Sequence, residues 1–221
     1  HIKKSYRTNG FEILCGHSFG GLAAINTFVS HPDFYNAYIA IDPSMWWDNQ
    51  SIIDQMDRPW ISDAHKGRLL FVAKANDPGS GDDHHNALLA LNQKLIDFDN
   101  QANYKWKYEF YDMEDHGSVV VPAEYNALRF LFKGYQMPVK KAMKDPSLLM
   151  QHFEVISKRL GYQVIPDEAL IDELAKVCIR REFFEQAKQL LMLNTKNYPK
   201  SVHADERYKT FIKEYDIQLK N

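Results

Sequence analysis

No apolar run in this 221-residue chain approaches the ~20 residues that a helix needs to cross a bilayer, so no helical membrane span is expected. Cysteine is nearly absent. Cys15 falls inside an apolar run that predicts a buried strand, and Cys178 falls inside a predicted helix; this pair suggests neither a disulfide framework nor a cysteine-based metal cluster. An excess of one charge is lacking too, with 27 Lys and Arg against 29 Asp and Glu. No Arg/Lys stripe interleaves with aromatics, which argues against nucleic acid as a partner. The start, His1-Ile2-Lys3-Lys4, resembles neither a signal peptide nor the opening of a domain, so the compartment stays open between periplasm and cytoplasm.

What the chain does hold is apolar residues at 45% and aromatic residues at 13%, enough for a sizeable core. Its organising stretch is Gly16-His17-Ser18-Phe19-Gly20, a G-x-S-x-G pentapeptide between the apolar run Phe11–Cys15 and Gly21-Leu22-Ala23-Ala24-Ile25. Such a pentapeptide arises by chance in roughly one chain in ten of this length. Its weight therefore comes from its flanks. Strand, sharp turn and helix form the setting in which a serine hydroxyl is held exposed at the end of a sheet, with small residues letting the helix pack close.

Further strands are predicted over Asn36–Ile41, Gly67–Ala75 and Tyr104–Tyr111, with helices between them over Ser51–Ile61 and His84–Ala102. A helix from Pro122 to about Phe132, with Tyr125, Leu128, Leu131 and Phe132 facing inward, should close the first domain. This is an α/β pattern. Trp46 and Trp47 lie just past the carboxyl end of the second strand, where ligands enter open α/β sheets, and aromatics there suit an aryl or flat acyl group. Core or rim packing is the competing reading for both tryptophans.

The order Ser…Asp/Glu…His of hydrolases built on this pattern places the orienting carboxylate after the third strand, where Asp77 is nearest the strand end. Glu114 or Asp115 is the alternative, as either could approach the base locally. His116 is the candidate general base, in a polar loop after the last strand and followed by Gly117. His84-His85 beside Asp82-Asp83 could suggest a metal, but no further ligand pair with suitable spacing is apparent and helix capping explains the aspartates. No metal and no organic cofactor is expected.

Only about ten residues precede the first strand, whereas the elbow of an α/β-hydrolase follows the fifth strand. The chain is accordingly expected to be the C-terminal portion of a longer protein, with the first half of the sheet and the second oxyanion loop upstream. From about residue 140 the character changes to helical segments, Ser147–Gly161, Pro166–Arg181, Glu182–Asn197 and Ala204–Gln218, without strand signals. Phe184, Ala187, Leu190 and Leu191 with Asn197-Tyr198-Pro199 resemble one degenerate tetratricopeptide-type unit. The expected organisation is residues 1–139 as the hydrolase domain and 140–221 as a small all-α tail. Packing against the hydrolase domain is the expected role of that tail, with a partner or homodimer contact as the alternative.

Three stretches together resemble the esterase family of α/β-hydrolases that includes esterase D and the enterobactin-type siderophore esterases. They are Gly16–Gly21, Asp42-Pro43-Ser44-Met45-Trp46-Trp47-Asp48, and Asp115-His116-Gly117-Ser118 leading into Ala123–Phe130. The resemblance spans about residues 11 to 135, and the Pro43–Trp47 segment points to the siderophore-esterase branch. It implies hydrolysis of a small-molecule ester through an acyl-enzyme. Ser18 would be the nucleophile, His116 the base and the Phe19 N–H an oxyanion donor, with His17, Trp46 and Trp47 beside the substrate. Acyl transfer by the same site, or a non-catalytic protein that binds through its helical tail, are the alternative functions.

Overall fold

A computed structural model of the protein describes residues 1–6, 8–77, 82–98 and 104–215. The chain divides into two compact units, His1–Lys133 with Arg159–Tyr162, and Gly134–Lys158 with Gln163–Asn221. The first unit is built on four parallel strands in the order β1 (Ile13–His17), β2 (Ala37–Ile41), β3 (Leu69–Ala75) and β4 (Lys105–Tyr111). Parallel neighbours need a crossover. Helices α2 (Phe19–Ser30), α3 (Trp47–Gln55) and α4 (Asp82–Phe98) lie in the three crossovers, α1 (Ile2–Ser5) precedes the sheet, and α5 (Val120–Leu131) follows it.

β2 and β3 are buried at every position, and apart from Tyr38 and Lys74 they hold only Ala, Ile, Leu, Val and Phe, as strands covered on both faces require. One cation is buried with them. Lys74 donates from Nζ to the Ala75 carbonyl at 3.0 Å and lies 4.7 Å from the centroid of the Phe110 ring. The register pairs His17 with Ile41 and Ile41 with Ala73, so the residues that leave β1 and β2 emerge side by side at the carboxyl edge of the sheet.

Beneath that edge Phe28 anchors the core, its ring 5.1 to 5.9 Å from those of Tyr38, Trp60, His65 and Tyr104. His65 is fully buried. The Ser62 N–H donates to its Nδ1 at 3.1 Å, so the ring proton is on Nε2, which faces the Phe28 carbonyl at 3.0 Å. Burial pushes this imidazole below the ordinary histidine range, outweighing the hydrogen bonds to Phe28 and Ser62, which favour the charged form.

The strands match the sequence expectations to within two residues. Three details differ. The helix expected over Ser51–Ile61 begins at Trp47, and Asp48, Asn49 and Gln50 run through left-handed backbone at φ 52, 50 and 64° before it becomes regular. Cys15, expected in a buried strand, is exposed, because β1 is an outer strand among those described and has one strand neighbour. In α5 the buried stripe is Ala123, Ala127 and Leu131, spaced four apart, while Tyr125 and Leu128 are exposed. Leu131 faces inward as expected; the small alanines allow closer approach, and Tyr125 and Leu128 lie on another face of the helix.

The second unit contains helices α6 (Val139–Lys144), α8 (Glu168–Arg180), α9 (Phe184–Asn197) and α10 (Val202–Tyr215) and most of α7 (Ser147–Leu160). Its core joins Leu149 and Phe153 of α7, Ile171, Ala175 and Cys178 of α8, Ala187, Leu190 and Leu191 of α9, and Phe211 of α10. Ile171, Leu174, Ala175 and Cys178 form the helical stripe that α8 buries. Asp172 on the same helix is buried only because Arg207 and Lys176 hold its two oxygens at 2.9 and 2.8 Å. No described helix is long and apolar enough to cross a membrane.

Candidate active site

The turn from β1 into α2 carries Ser18 at φ 57° and ψ −120°, a left-handed conformation that costs a non-glycine residue about 1–3 kcal/mol and persists only where the surroundings enforce it. Here they do. Its N–H donates to the Ile41 carbonyl at 3.0 Å, and its own carbonyl accepts from Leu22 and Ser44 N–H groups at 3.0 and 3.1 Å. A Cβ on Gly16 would sit 2.1 Å from the Gly20 carbonyl oxygen, so that glycine is a steric requirement. Gly21 packs against Pro43, whereas Gly20 has open space around it. Ser18 occupies the N-cap position of α2 without a capping side-chain bond, and its Oγ lies instead 3.2 Å from Ser44 Oγ. The first N–H groups of α2, beginning with Phe19, have no partners within the helix and carry the positive end of its dipole.

Beside the elbow, Asp42 leaves the end of β2 at φ 41° with no exposed surface. Its N–H donates to the Ala73 carbonyl at 2.8 Å, and its Oδ1 accepts the Ala75 N–H at 2.9 Å. The other oxygen, Oδ2, takes two imidazoles: His116 through Nδ1 at 2.6 Å and His84 through Nε2 at 3.0 Å. Burial alone would raise this carboxyl. The hydrogen bonds from His84, His116 and Ala75 outweigh it and hold the group down at about 2, so it is a carboxylate at every ordinary pH. An ionised acceptor on Nδ1 puts the proton there and leaves His116 Nε2 as a base.

His116 is set by its loop. Asp115 Oδ1 accepts the N–H groups of Gly117 and Ser118 at 2.8 and 2.7 Å, and Ser118 Oγ accepts the Asp115 N–H at 3.0 Å. Asn76, just past β3, ties down the same loop through Glu114 and Asp112 carbonyls at 2.8 and 2.9 Å. Thus Asp115, one alternative for the orienting acid, is occupied in forming the turn. His17, expected beside the substrate, lies against His116 with ring centroids 4.4 Å apart and the rings tilted by 40°, and its Nε2 donates to the His116 carbonyl at 2.7 Å. It is not among the residues that line the pocket beside Ser18.

Ser18, Phe19, Ser44, Trp46, Asp77, His84 and His116 line one open pocket of about 230 Å³. Trp46 and Phe19 meet edge to face at 5.9 Å on its rim, each about half exposed, while Trp47 is exposed without lining the pocket. Asp77 lines the pocket, but the carboxylate on His116 Nδ1 is that of Asp42. Both satisfy the chain order Ser…Asp…His; they differ in that Asp42 departs from the strand next to the elbow strand. Sequence reasoning also missed Ser44 and His84 as pocket residues. The available signal was Asp42-Pro43-Ser44 directly after the fully buried strand Ala37–Ile41, a strand-end position like that of the loop carrying His116. The donor atoms of Asp42, His84 and His116 lie within 4.8 Å of one another, a set that could ligate a divalent cation such as zinc if both nitrogens gave up their protons.

No family model matches the chain. It is 30% identical over 143 residues to the siderophore enterobactin esterase of Emericella nidulans, a match covering 55% of this chain and 47% of that protein. It is 41% identical over 44 residues to the siderophore triacetylfusarinine C esterase of Aspergillus fumigatus, covering 20% and 15%. The chain therefore spans about half the length of the first of these relatives. Among solved structures, an IroE-like serine hydrolase from Shewanella oneidensis superposes with a TM-score of 0.69 at 28% identity, over 88% of this chain and 62% of that one. An uncharacterised protein from Capnocytophaga ochracea shares the fold, with a TM-score of 0.54 at 12% identity over 96% and 61%. The chain is thus similar in sequence, over part of its length, to siderophore esterases, and in fold to an IroE-like serine hydrolase, with a parallel four-stranded sheet, flanking helices and an all-α C-terminal portion.

Proposed function

We propose that this chain carries the nucleophile, base and acid of a serine hydrolase that cleaves carboxylic esters, and that its triad is Ser18, His116 and Asp42. The observation that carries the reading is the 2.6 Å bond from His116 Nδ1 to the buried Asp42 carboxylate, in the same pocket as a serine held on a strained elbow. In this reading Ser18 Oγ attacks the ester carbonyl while His116 Nε2 takes its proton, and Asp42 stabilises the imidazolium without itself becoming protonated. The oxyanion faces the Phe19 N–H at the positive end of α2, a donor of a kind worth a few kcal/mol. Collapse breaks the ester C–O bond, and His116 returns the proton to the departing alcohol. Water then attacks the acyl-Ser18 ester by the same route, releasing the acid.

Before substrate binds, the Ser44 hydroxyl holds Ser18 Oγ, so the bond to His116 forms as the substrate settles, a common behaviour of unliganded sites. Phe19 and Trp46 give the pocket an aromatic rim suited to a flat ring on the substrate. Together with the siderophore esterases that the chain is similar to, this favours a siderophore ester, and the rim a substrate that carries a flat ring. The residues that line this pocket all lie in the first unit. Hydrolysis of a p-nitrophenyl ester by the full-length protein tests the reading: turnover should vanish in Ser18→Ala, and undiminished turnover in that variant would refute it.

A further inference from the structure

A second cavity of the first unit, of about 430 Å³ and lined by Lys107, Asn126, Arg129, Phe130 and Lys133, has no role in the steps above. We propose that this cavity is a binding site for a small polyphosphate, held by the Lys107, Arg129 and Lys133 side chains with the Asn126 amide beside them. It shares no lining residue with the Ser18 pocket, so the inference stands independently of the hydrolase reading.

Charge carries the argument. Alternation along β4 puts Lys105 and Lys107 on one face of the strand, and α5 brings Arg129 in its last turn with Lys133 just beyond it. Arg159 adds to the group: its guanidinium lies 5.6 Å from the centroid of the Phe130 ring and donates to the Phe130 carbonyl. Against these cations stands one carboxylate, Glu109, whose oxygens are taken by Lys107 at 2.6 Å and by Asn126 at 3.3 Å. Among the described residues, Lys105, Arg129, Lys133 and Arg159 make no ion pair. Desolvation and then the Arg159 charge hold the Lys105 ammonium below its ordinary range, so these like charges are close enough to repel. The Nε of Arg159 is buried and has no hydrogen-bond partner among the described residues. A helix dipole favours an arginine in the last turn, which accounts for Arg129 alone.

Another group of cations in the same chain shows the balanced arrangement. In the second unit Lys176, Arg180 and Arg207 line a cavity of about 280 Å³, and a carboxylate holds each of them. Asp172 takes Arg207 at 2.9 Å and Lys176 at 2.8 Å, and Glu173 takes Arg180 at 3.5 Å. The chain has 29 acidic residues to distribute, yet the cavity beside β4 keeps most of its cations without one. Uncompensated like charges destabilise a compact fold, and an anionic ligand accounts for their retention around a concave site. Size and donors give its class. The cavity has the volume of a small-molecule site, and an arginine fork, two ammonium groups and an amide match the several oxygens of linked phosphates. A single carboxylate or sulfate would leave most of these donors unmet.

Calorimetric titration of the full-length protein with sodium tripolyphosphate, at about 0.1 M salt, reads the binding without requiring turnover. Saturable binding is expected, with a Kd of about 100 µM or tighter. Arg129→Gln and Lys133→Gln should each weaken it at least about tenfold, while Arg180→Gln, in the balanced group, should change it by less than about twofold. ATP in place of tripolyphosphate separates the sources of the phosphates. Higher affinity for ATP assigns the site to a nucleotide, equal or lower affinity assigns it to a free polyphosphate, and both support it. Should the variants not fold, lysine acetylation of wild type decides: tripolyphosphate should slow reaction at Lys107 and Lys133 at least about fivefold relative to Lys209, and unchanged rates overturn the proposal. Absence of saturable binding overturns it, as does equal displacement by sulfate at the same ionic strength. Undiminished binding in both variants, or preference for a long single-stranded DNA over tripolyphosphate, also overturns it.

Discussion

His116 Nδ1 lies 2.6 Å from Oδ2 of Asp42, a carboxylate with no exposed surface, although the two residues are 74 positions apart in the chain. The contact is made by sheet register. β2 delivers Asp42 beside the elbow and β4 returns the chain to the same edge, two strands away. From this contact follows a choice between two aspartates. Asp42→Asn removes the charge that fixes the His116 tautomer and should lower kcat by about 10³-fold or more with the fold intact. Asp77→Asn should lower it by less than about tenfold, because that carboxylate lines the pocket without holding the base. Ester hydrolysis by the two variants under identical conditions distinguishes them.

Acid should weaken the first unit in two stages. His65 is held below its ordinary value by burial, so the unfolded chain binds the proton first; its contribution is complete above about pH 6.5 and is lost as pH falls from there. Asp42 at about 2 contributes above its unfolded value of 3.8, up to about 2 kcal/mol, and this is lost between about pH 4 and pH 2. Tm should therefore decline between pH 7 and pH 5 in wild type and much less in His65→Asn, as read by thermal melts.

The elbow glycines are unequal. Gly16→Ala puts a methyl 2.1 Å from a backbone oxygen and should yield insoluble or unfolded protein. Gly20→Ala meets nothing within 4 Å inside α2 and should fold with equal or higher stability, by up to about 1 kcal/mol. Circular dichroism and chemical denaturation compare them.

Trp46→Ala and Phe19→Ala should act on binding more than on chemistry, since the Phe19 oxyanion donor is a backbone group. For an aryl ester KM should rise about tenfold in either variant with kcat changed by less than about threefold, and the double variant should lose less than the sum because the rings touch. For a short aliphatic ester the effect should be much smaller. Steady-state kinetics on the two substrates separate these effects.

The fold was largely legible because buried parallel strands announce themselves. The runs at Ala37–Ile41 and Leu69–Ala73 are free of charged residues, and G-x-S-x-G can be read locally because its turn, strand and helix are contiguous. Contacts across the sheet were not legible. Asp42, Ser44 and His84 acquire their places from register and from the start of α4, neither of which a linear pattern encodes. The inward face of α5 was legible only at Leu131: the other positions it buries hold Ala123 and Ala127, whose small size permits close packing but gives a weak hydrophobic signal.

The central claim is that Ser18 is an activated nucleophile. Incubating the full-length protein with a fluorophosphonate and locating the adduct by peptide mass spectrometry tests it most directly. The account predicts one phosphonyl group on the peptide containing Ser18, absent in Ser18→Ala and formed at least about a hundredfold more slowly in Asp42→Asn. No adduct, or one on another residue that persists in Ser18→Ala, would contradict it.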